Sequence, residues 1–352
     1  MRGDIYKYEK RYRIIMSVAR KVIKCRIFRP TKKKLDLLEK EYQDAQKYLV
    51  DKSTKLYNAT KQAMDMYVRK VNRSKEYPLF LRNDTFRVEK AKNTEYFDYW
   101  FRLPTKQVYG GVWFPIKPHQ EIKESWNVKD SKIIRRNGYF ELHLVVEKEV
   151  KMKKSSNILA VDLGERWQAT VLLDGKPIFY GKEIRGIRRK YAYIRKRLGE
   201  KKLLKKIKEI GQKEKRIVDY HLHSIANAII GLATDTNSLI AFGDLKGIRK
   251  NGKGRKFNRI LSNWAYYKLG KYIEYKAEWK GIKVVKINEK GTSHTCPKCG
   301  SEGRRPFQGL FTCNCGYQAN ADFVGAQNIK RKAEEYISES GVVCEPAQNS
   351  EG

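Results

Sequence analysis

The spacing of hydrophobic positions changes several times along the chain, and each change marks a new element. From Ile14 to Phe28 (IIMSVARKVIKCRIF) apolar and polar residues alternate loosely, with β-branched residues among them, which predicts a strand. From Thr31 to about Asn72 the period lengthens. Leu35, Leu38, Tyr42, Ala45, Tyr48 and Leu49 recur at spacings of three and four with no Gly or Pro between them, the pattern of one helix face. Tyr77 to Thr105 is dense in rings (Tyr77, Phe80, Phe86, Tyr96, Phe97, Tyr99, Trp100, Phe101) set among Lys and Arg. Such interleaving suits stacking on unpaired bases, and it suits equally an aromatic core under a helical lobe. Val112 to Val150 returns to strands, and Tyr139–Val146 alternates cleanly after a turn at Asn137–Gly138.

A charged linker, Lys151 to Ser156, separates this half from the next. Three short strands follow at Ile158–Leu163, Ala169–Leu173 and Ile178–Gly181, with Asp174–Gly175 turning between the last two. Then come a long helical stretch from Ile184 to about Ala233, a strand at Leu239–Phe242, a helix at Leu261–Lys280, and a strand at Ile282–Ile287. A cysteine-bearing segment and a helix starting near Asp322 complete the order, and the end from about residue 336 is expected to fray. Three strands, helix, strand, helix, strand, helix is the order of an RNase H-like α/β domain. Several families share it, so the order alone does not give a function.

Charge narrows the choice. The 352 residues hold 76 Lys and Arg against 39 Asp and Glu, a net charge of +37. Self-repulsion of that size favours a polyanionic partner, and phosphate backbone is the natural one. Lys-rich surfaces of thermophiles are balanced by Glu, which is not so here. The excess is steepest from Ile184 to Arg216, with fifteen Lys or Arg against three Glu. Arg185, Arg188, Arg189, Lys190, Arg195, Lys196, Arg197, Lys205 and Lys206 are therefore candidates for contact with phosphates, the alternative being a solvated face. No apolar run reaches the roughly 18 residues of a membrane span, and Met1 to Arg20 lacks the apolar core of a signal peptide. A cytoplasmic location is expected.

Six cysteines do not make a secreted disulfide framework, and four of them cluster. Cys296-Pro-Lys-Cys299-Gly300 is one metal knuckle and Cys313-Asn-Cys315-Gly316 a second, tighter one. Four thiolates satisfy tetrahedral Zn²⁺ and leave no open position, so this site is expected to be structural. Cys25 and Cys344 are isolated and expected to be free thiols.

Two carboxylates stand where metal chemistry would need them. Asp162 lies inside the apolar strand Ile158-Leu-Ala-Val-Asp-Leu-Gly164, where a charge needs a compensating partner. Asp322, in Asn320-Ala-Asp-Phe-Val-Gly-Ala-Gln-Asn-Ile329, follows the cysteines and is also a candidate helix N-cap. With VDLG at 161–164, GDLKGIR at 243–249, TSHTCPKCG at 292–300, CNCGY at 313–317 and ADFVGAQNI at 321–329, the stretch from Ile158 to Lys330 resembles the TnpB (OrfB) family. These are transposon-encoded RNA-guided nucleases related to the type V CRISPR effectors.

The resemblance implies a RuvC-type RNase H-like domain (151–291 and 321–335) interrupted by a zinc ribbon (292–320). Before it would come a β-rich wedge (1–30 and 105–150) with an inserted helical recognition lobe (31–104), and after it a disordered tail (336–352). It implies a guide RNA and a double-stranded DNA target carrying a short adjacent motif as partners. It also implies Asp162 and Asp322 as ligands of catalytic Mg²⁺. One position departs from the family pattern: Gly243 stands where a metal-binding Glu is usual. Cleavage is therefore expected to be lost or impaired, leaving a guided DNA-binding protein that represses or assists a transposon. Two alternatives stay open. One is an active Mg²⁺-dependent endonuclease that recruits Asp244 or Glu289 as its third acid. The other is an unguided basic nucleic-acid-binding protein.

Overall fold

A computed structural model describes residues 16–136, 138–244, 265–289, 291–307 and 309–340. Asn137, Trp264 and the residues before it back to Leu245, and Cys344 lie outside them. The chain divides into two compact units, Val18–Glu149 and a second made of Val150–Gly352 with Met1–Ser17.

In the first unit the period-two stretches become a seven-stranded sheet. Its strands are β1 (Met16–Ile27), β2 (Leu79–Leu81), β3 (Arg87–Lys90), β4 (Tyr99–Leu103), β5 (Val112–Pro118), β6 (Asn127–Arg136) and β7 (Tyr139–Lys151), in the order β2-β6-β7-β1-β5-β4-β3. Two helices accompany it, α1 (Lys32–Val50) and α2 (Asn58–Tyr67). The Thr31 hydroxyl accepts a hydrogen bond from the Lys34 amide and so caps α1. Leu38, Tyr42, Ala45, Tyr48 and Leu49 are buried on one face, as the spacing predicts, together with Glu41, whereas Leu35 is exposed.

The sequence groups residues 31–104 into a helical lobe, and the structure differs. Helix is confined to α1 and α2, and residues 79–103 supply β2, β3 and β4. The reason lies in β4 and β5, where Tyr99, Phe101 and Leu103 face inward opposite Ile116, Phe114 and Val112. The aromatic stretch is thereby core in part. Phe86, Tyr99 and Phe101 are core, whereas Tyr96 is 77% exposed and Trp100 lies 5.5 Å under the Lys34 ammonium.

The second unit is built on a five-stranded sheet in the order β10-β9-β8-β11-β12. Its strands are β8 (Asn157–Asp162), β9 (Ala169–Leu173), β10 (Lys176–Tyr180), β11 (Ser238–Gly243) and β12 (Val284–Ile287). β8 runs antiparallel to β9 and β9 to β10, while β11 runs parallel to both β8 and β12. Among the described residues, helices α3 (Lys182–Glu200), α4 (Leu204–Asp235), α5 (Ala265–Lys280) and α6 (Ala321–Ser340) accompany it.

Alternation along β8 sorts the core into two layers. Leu159, Val161 and Leu163 pack with Leu222, Ile229 and Ile273 from α4 and α5. Ala160 faces the other way, onto Ala326, Ile329 and Ala333 of α6. Asp162, two residues beyond Ala160, therefore points to the α6 side. α6 itself continues to Ser340 and buries Ile337, so the fraying expected from residue 336 does not begin there. Between β12 and α6 lies a small hairpin, β13 (Leu310–Thr312) and β14 (Gln318–Asn320). Among the described residues, no helix is long and apolar enough to cross a membrane.

Candidate active site

The parallel strands β8, β11 and β12 end at one edge of the sheet, and a cleft of about 330 Å³ opens there. Asp162, Glu289 and Asp322 line it, with Gly164, Glu165, Arg166, Thr292, Ser293, Arg305 and Phe307. Each acid arrives from a different element. Asp162 is the last residue of β8. Asp322 is on the first turn of α6 and is not the cap, because Asn320 Oδ1 accepts from the amides of Asp322 (2.9 Å) and Phe323 (3.3 Å). That frees the Asp322 carboxylate for the cleft.

Glu289 comes from just past β12, and its side chain lies against Gly243. Gly243 closes β11 opposite Ile287 of β12. A Cβ built on Gly243 would overlap the Oε1, Cδ and Cγ of Glu289. The Glu289 side chain thus fills the space that a side chain at 243 would occupy. Asp244 gives its amide to the Ile287 carbonyl at 2.7 Å and is not among the cleft-lining residues.

The acids strain against one another. The Asp162 carboxyl is pushed up to about 8 by loss of hydration and then by the charges of Asp322 and Glu289. Glu289 is pushed up to about 7 by burial and by Asp244. Asp322 is raised by burial against the pull of Arg305 and Arg166, and its Oδ2 is buried with no hydrogen-bond partner. Crowded, dehydrated carboxylates with an unsatisfied oxygen are the donor set of a hard divalent cation. Asp162, Glu289 and Asp322 are the carboxylates of this cleft that would hold such an ion, although among the described residues only the four cysteines bring their ligand atoms within 4.8 Å of one another.

The cysteines are drawn together more tightly. The sulfurs of Cys296, Cys299, Cys313 and Cys315 all lie within 4.8 Å of one another, with 3.7 Å between Cys296 and Cys315 and 3.5 Å between Cys299 and Cys313. Four Zn–S bonds of ~2.3 Å in a tetrahedron put sulfurs ~3.8 Å apart, so the set fits Zn²⁺. Gly300 (φ 76°) and Gly316 (φ 83°) turn the backbone beneath each pair. The backbone N–H and hydroxyl of Ser301 pull the Cys299 thiol down to about 6, toward the thiolate that a metal binds.

A family model of the Cas12f1-like TNB domain matches residues 266–329, which run from α5 through the cysteines into α6. TnpB-like protein MJ0751 of Methanocaldococcus jannaschii is 30% identical over 225 residues, 57% of this chain and 81% of that protein. The chain belongs to the TnpB/Cas12f family. The CRISPR-associated endodeoxyribonuclease Cas12f1 of Sulfoacidibacillus thermotolerans is 33% identical over 229 residues, 58% of this chain and 53% of its own. The matched region thus spans about half the length of that family member. A solved Cas12f1–sgRNA–target DNA complex aligns with 89% of this chain and 99% of its own at 14% identity and a TM-score of 0.43.

The basic stretch of this family member is a helical hairpin, α3 and α4, broken at Lys202 (φ 54°). Arg189, Lys190, Lys196, Arg197, Lys205 and Lys206 are exposed, whereas Arg185, Arg188 and Arg195 are half-buried. Arg195 pairs with Glu214 across the hairpin, which makes it a brace between the helices.

Sequence reasoning missed several residues that shape the cleft. Asn328, 1% exposed, donates Nδ2 to the carbonyls of Thr292 (2.8 Å) and Thr295 (2.7 Å). The Thr292 amide and hydroxyl in turn donate to the Glu289 carbonyl, so Asn328 holds the loop that presents Glu289. Gly325 lets α6 approach β8, because a Cβ there would lie 2.6 Å from Asp162 Oδ2. Both stand in ADFVGAQNI, yet nothing in that string says which carbonyl or carboxylate each one meets.

Proposed function

We propose that the chain is an RNA-guided DNA endonuclease whose RuvC-type, RNase H-like site is completed by Glu289 in place of the missing acid at Gly243. The observation that carries this is the Glu289 side chain lying in the space before Gly243, in one cleft with Asp162 and Asp322. A sheet edge where a strand end, the loop after a parallel strand and a helix start bring three carboxylates together is suited to phosphodiester hydrolysis. Bound there, Mg²⁺ would polarise the phosphate and lower the pKa of an attacking water. The residues of the chain supply the rest. Asp162, Glu289 and Asp322 fix where positive charge can sit, and Arg166 and Arg305 offset the acidic field for an incoming phosphate. Thr292 and Asn328 keep Glu289 in register.

Guide RNA and a double-stranded DNA target with an adjacent motif are the proposed partners, supported by the net charge of +37 and by family membership. The cysteine set is proposed to hold structural zinc. The test is to purify the full chain, sequence the RNA that accompanies it, and assay Mg²⁺-dependent cutting of a plasmid library matched to that RNA. Guided cutting is the expected result. Guided binding without cutting would restore the impaired-nuclease reading, and no bound RNA would leave an unguided basic binder.

Two further outcomes are expected. Replacing Arg189, Lys196, Lys205 and Lys206 together by alanine should weaken binding across sequences. It should also flatten the log–log salt dependence by about three to four, roughly 0.9 per lost phosphate contact. An unchanged slope in a filter-binding titration would mark the hairpin as a solvated face. Gly325→Ala should displace the Asp162 carboxylate. It should cost about 1–3 kcal/mol in stability through overpacking and on the order of tenfold or more in cleavage, since misplacement of about 1 Å can cost 10²-fold. Single-turnover cleavage alongside thermal denaturation measures both.

A further inference from the structure

Between the two knuckles the chain makes a short excursion, and its tip reaches the acid cleft. Arg304 bridges to Thr312 on the return strand, and the Leu310 amide closes a turn onto the Phe307 carbonyl at 3.2 Å. Arg305 Nη2 is anchored on the Ala321 carbonyl at 3.0 Å, at the start of α6. Phe307 is left 64% exposed, on the wall of a cleft whose other lining is mainly charged or polar. Single exposed apolar side chains are common, but this ring shares a cleft with four carboxylates and two guanidiniums.

We infer that Phe307 is a stacking platform for a base next to the phosphate held at the acids. The inference rests on the reading of the cleft as a nuclease site and adds to it the residue that seats the substrate. Every base has a π-face, so an aromatic ring seats a strand without reading its sequence. Arg166 and Arg305 take the flanking phosphate, because a guanidinium forks onto phosphate oxygens. Phe307 is thus a positioning residue, held in place by the ribbon.

The test uses the full chain with the RNA it carries and a short single-stranded DNA containing 2-aminopurine, whose fluorescence falls on stacking. Ca²⁺ replaces Mg²⁺ so that binding is read without cutting. Phe307→Ala and Phe307→Leu should each relieve the quenching, while Phe307→Tyr and Phe307→Trp should keep it. In Mg²⁺, Phe307→Ala should slow cleavage roughly five- to hundredfold, the range that one base–ring stack is worth. An abasic nucleotide beside the cut site should slow the wild type by a similar factor and Phe307→Ala hardly further.

Wild-type quenching in Phe307→Leu would overturn the proposal, and so would abasic and alanine effects that simply multiply. If the wild type proves unable to cut, the nuclease reading falls. The quenching then decides on its own: relief in Phe307→Ala supports stacking, and no change rejects it. A ring that serves a protein partner would also give no change and count against the proposal.

Discussion

Glu289→Ala is expected to lower guided, Mg²⁺-dependent cleavage by on the order of a hundredfold or more. Losing a residue that merely orients a metal ligand typically costs 10–100-fold, and Glu289 is proposed to be a ligand itself. Asp244→Ala should cost far less, because Asp244 does not line the cleft and reaches Glu289 through its charge. The pair separates the two acids that could stand in for the one missing at Gly243. Gly243→Glu is expected to be damaging on its own, since a Cβ at 243 already overlaps the Glu289 carboxylate and one of the two acids must be expelled.

Gly243→Glu combined with Glu289→Ala should recover part of the activity, with the carboxylate returned to β11 and its rival removed. A readout without cutting is available. Mg²⁺ should raise the thermal midpoint of the wild type and raise that of Glu289→Ala less, because a ligand stabilises only as far as it binds the folded state. Full cleavage by Glu289→Ala would sink the assignment.

The contrast between Gly243 and Glu289 shows how far the sequence was legible. Asp162 was readable because one charge inside an apolar strand stands out locally. The vacancy at Gly243 was readable too, as a departure from a family pattern. What would fill it was narrowed to two acids, Asp244 and Glu289, without a choice between them. Glu289 reaches that space only because β11 and β12 pair in parallel with Gly243 opposite Ile287, and pairing register is a tertiary fact. Asp322 as an N-cap was a sound local expectation that lost to Asn320, which stands one residue before the helix and takes the two amides.

In the first unit the helical lobe was drawn too wide. The inward alternation of Tyr99, Phe101 and Leu103 was a strand signal in plain view, masked by the surrounding aromatics and charges. β3, Arg-Val-Glu-Lys, carries almost no pattern of its own and is held as an edge strand by β4. The cysteine cluster was the most legible feature of all, because chelation depends on spacing along a few residues rather than on long-range pairing.

Removing zinc is expected to disable cleavage while leaving most nucleic-acid affinity in place. The segment between β12 and α6 has little else to order it. Its hairpin has two strands of three residues each, and its core is Cys296, Phe311, Ala321 and Val324. Apparent metal-binding energies of about 10–16 kcal/mol in small zinc modules are folding energy that such a core cannot replace. In sequence the segment joins Glu289 to Asp322, and its excursion carries Arg305 and Phe307 to the cleft. Its collapse should therefore release two of the three acids from register, and the base platform with them.

The exposed cations of α3 and α4 belong to separate elements and should keep tracking phosphate. Elemental analysis should find close to one zinc per chain, and Cys296→Ser with Cys299→Ser should abolish it. That variant should lose on the order of a hundredfold in cleavage, with misplaced ligands as the cause. It should also become open to proteolysis between residues 300 and 312, while its affinity for nucleic acid changes by only severalfold, a surface-charge property to which the ribbon adds little beside α3 and α4. A zinc-free chain that resists the protease and still cuts would show that the cysteines order nothing the active site needs.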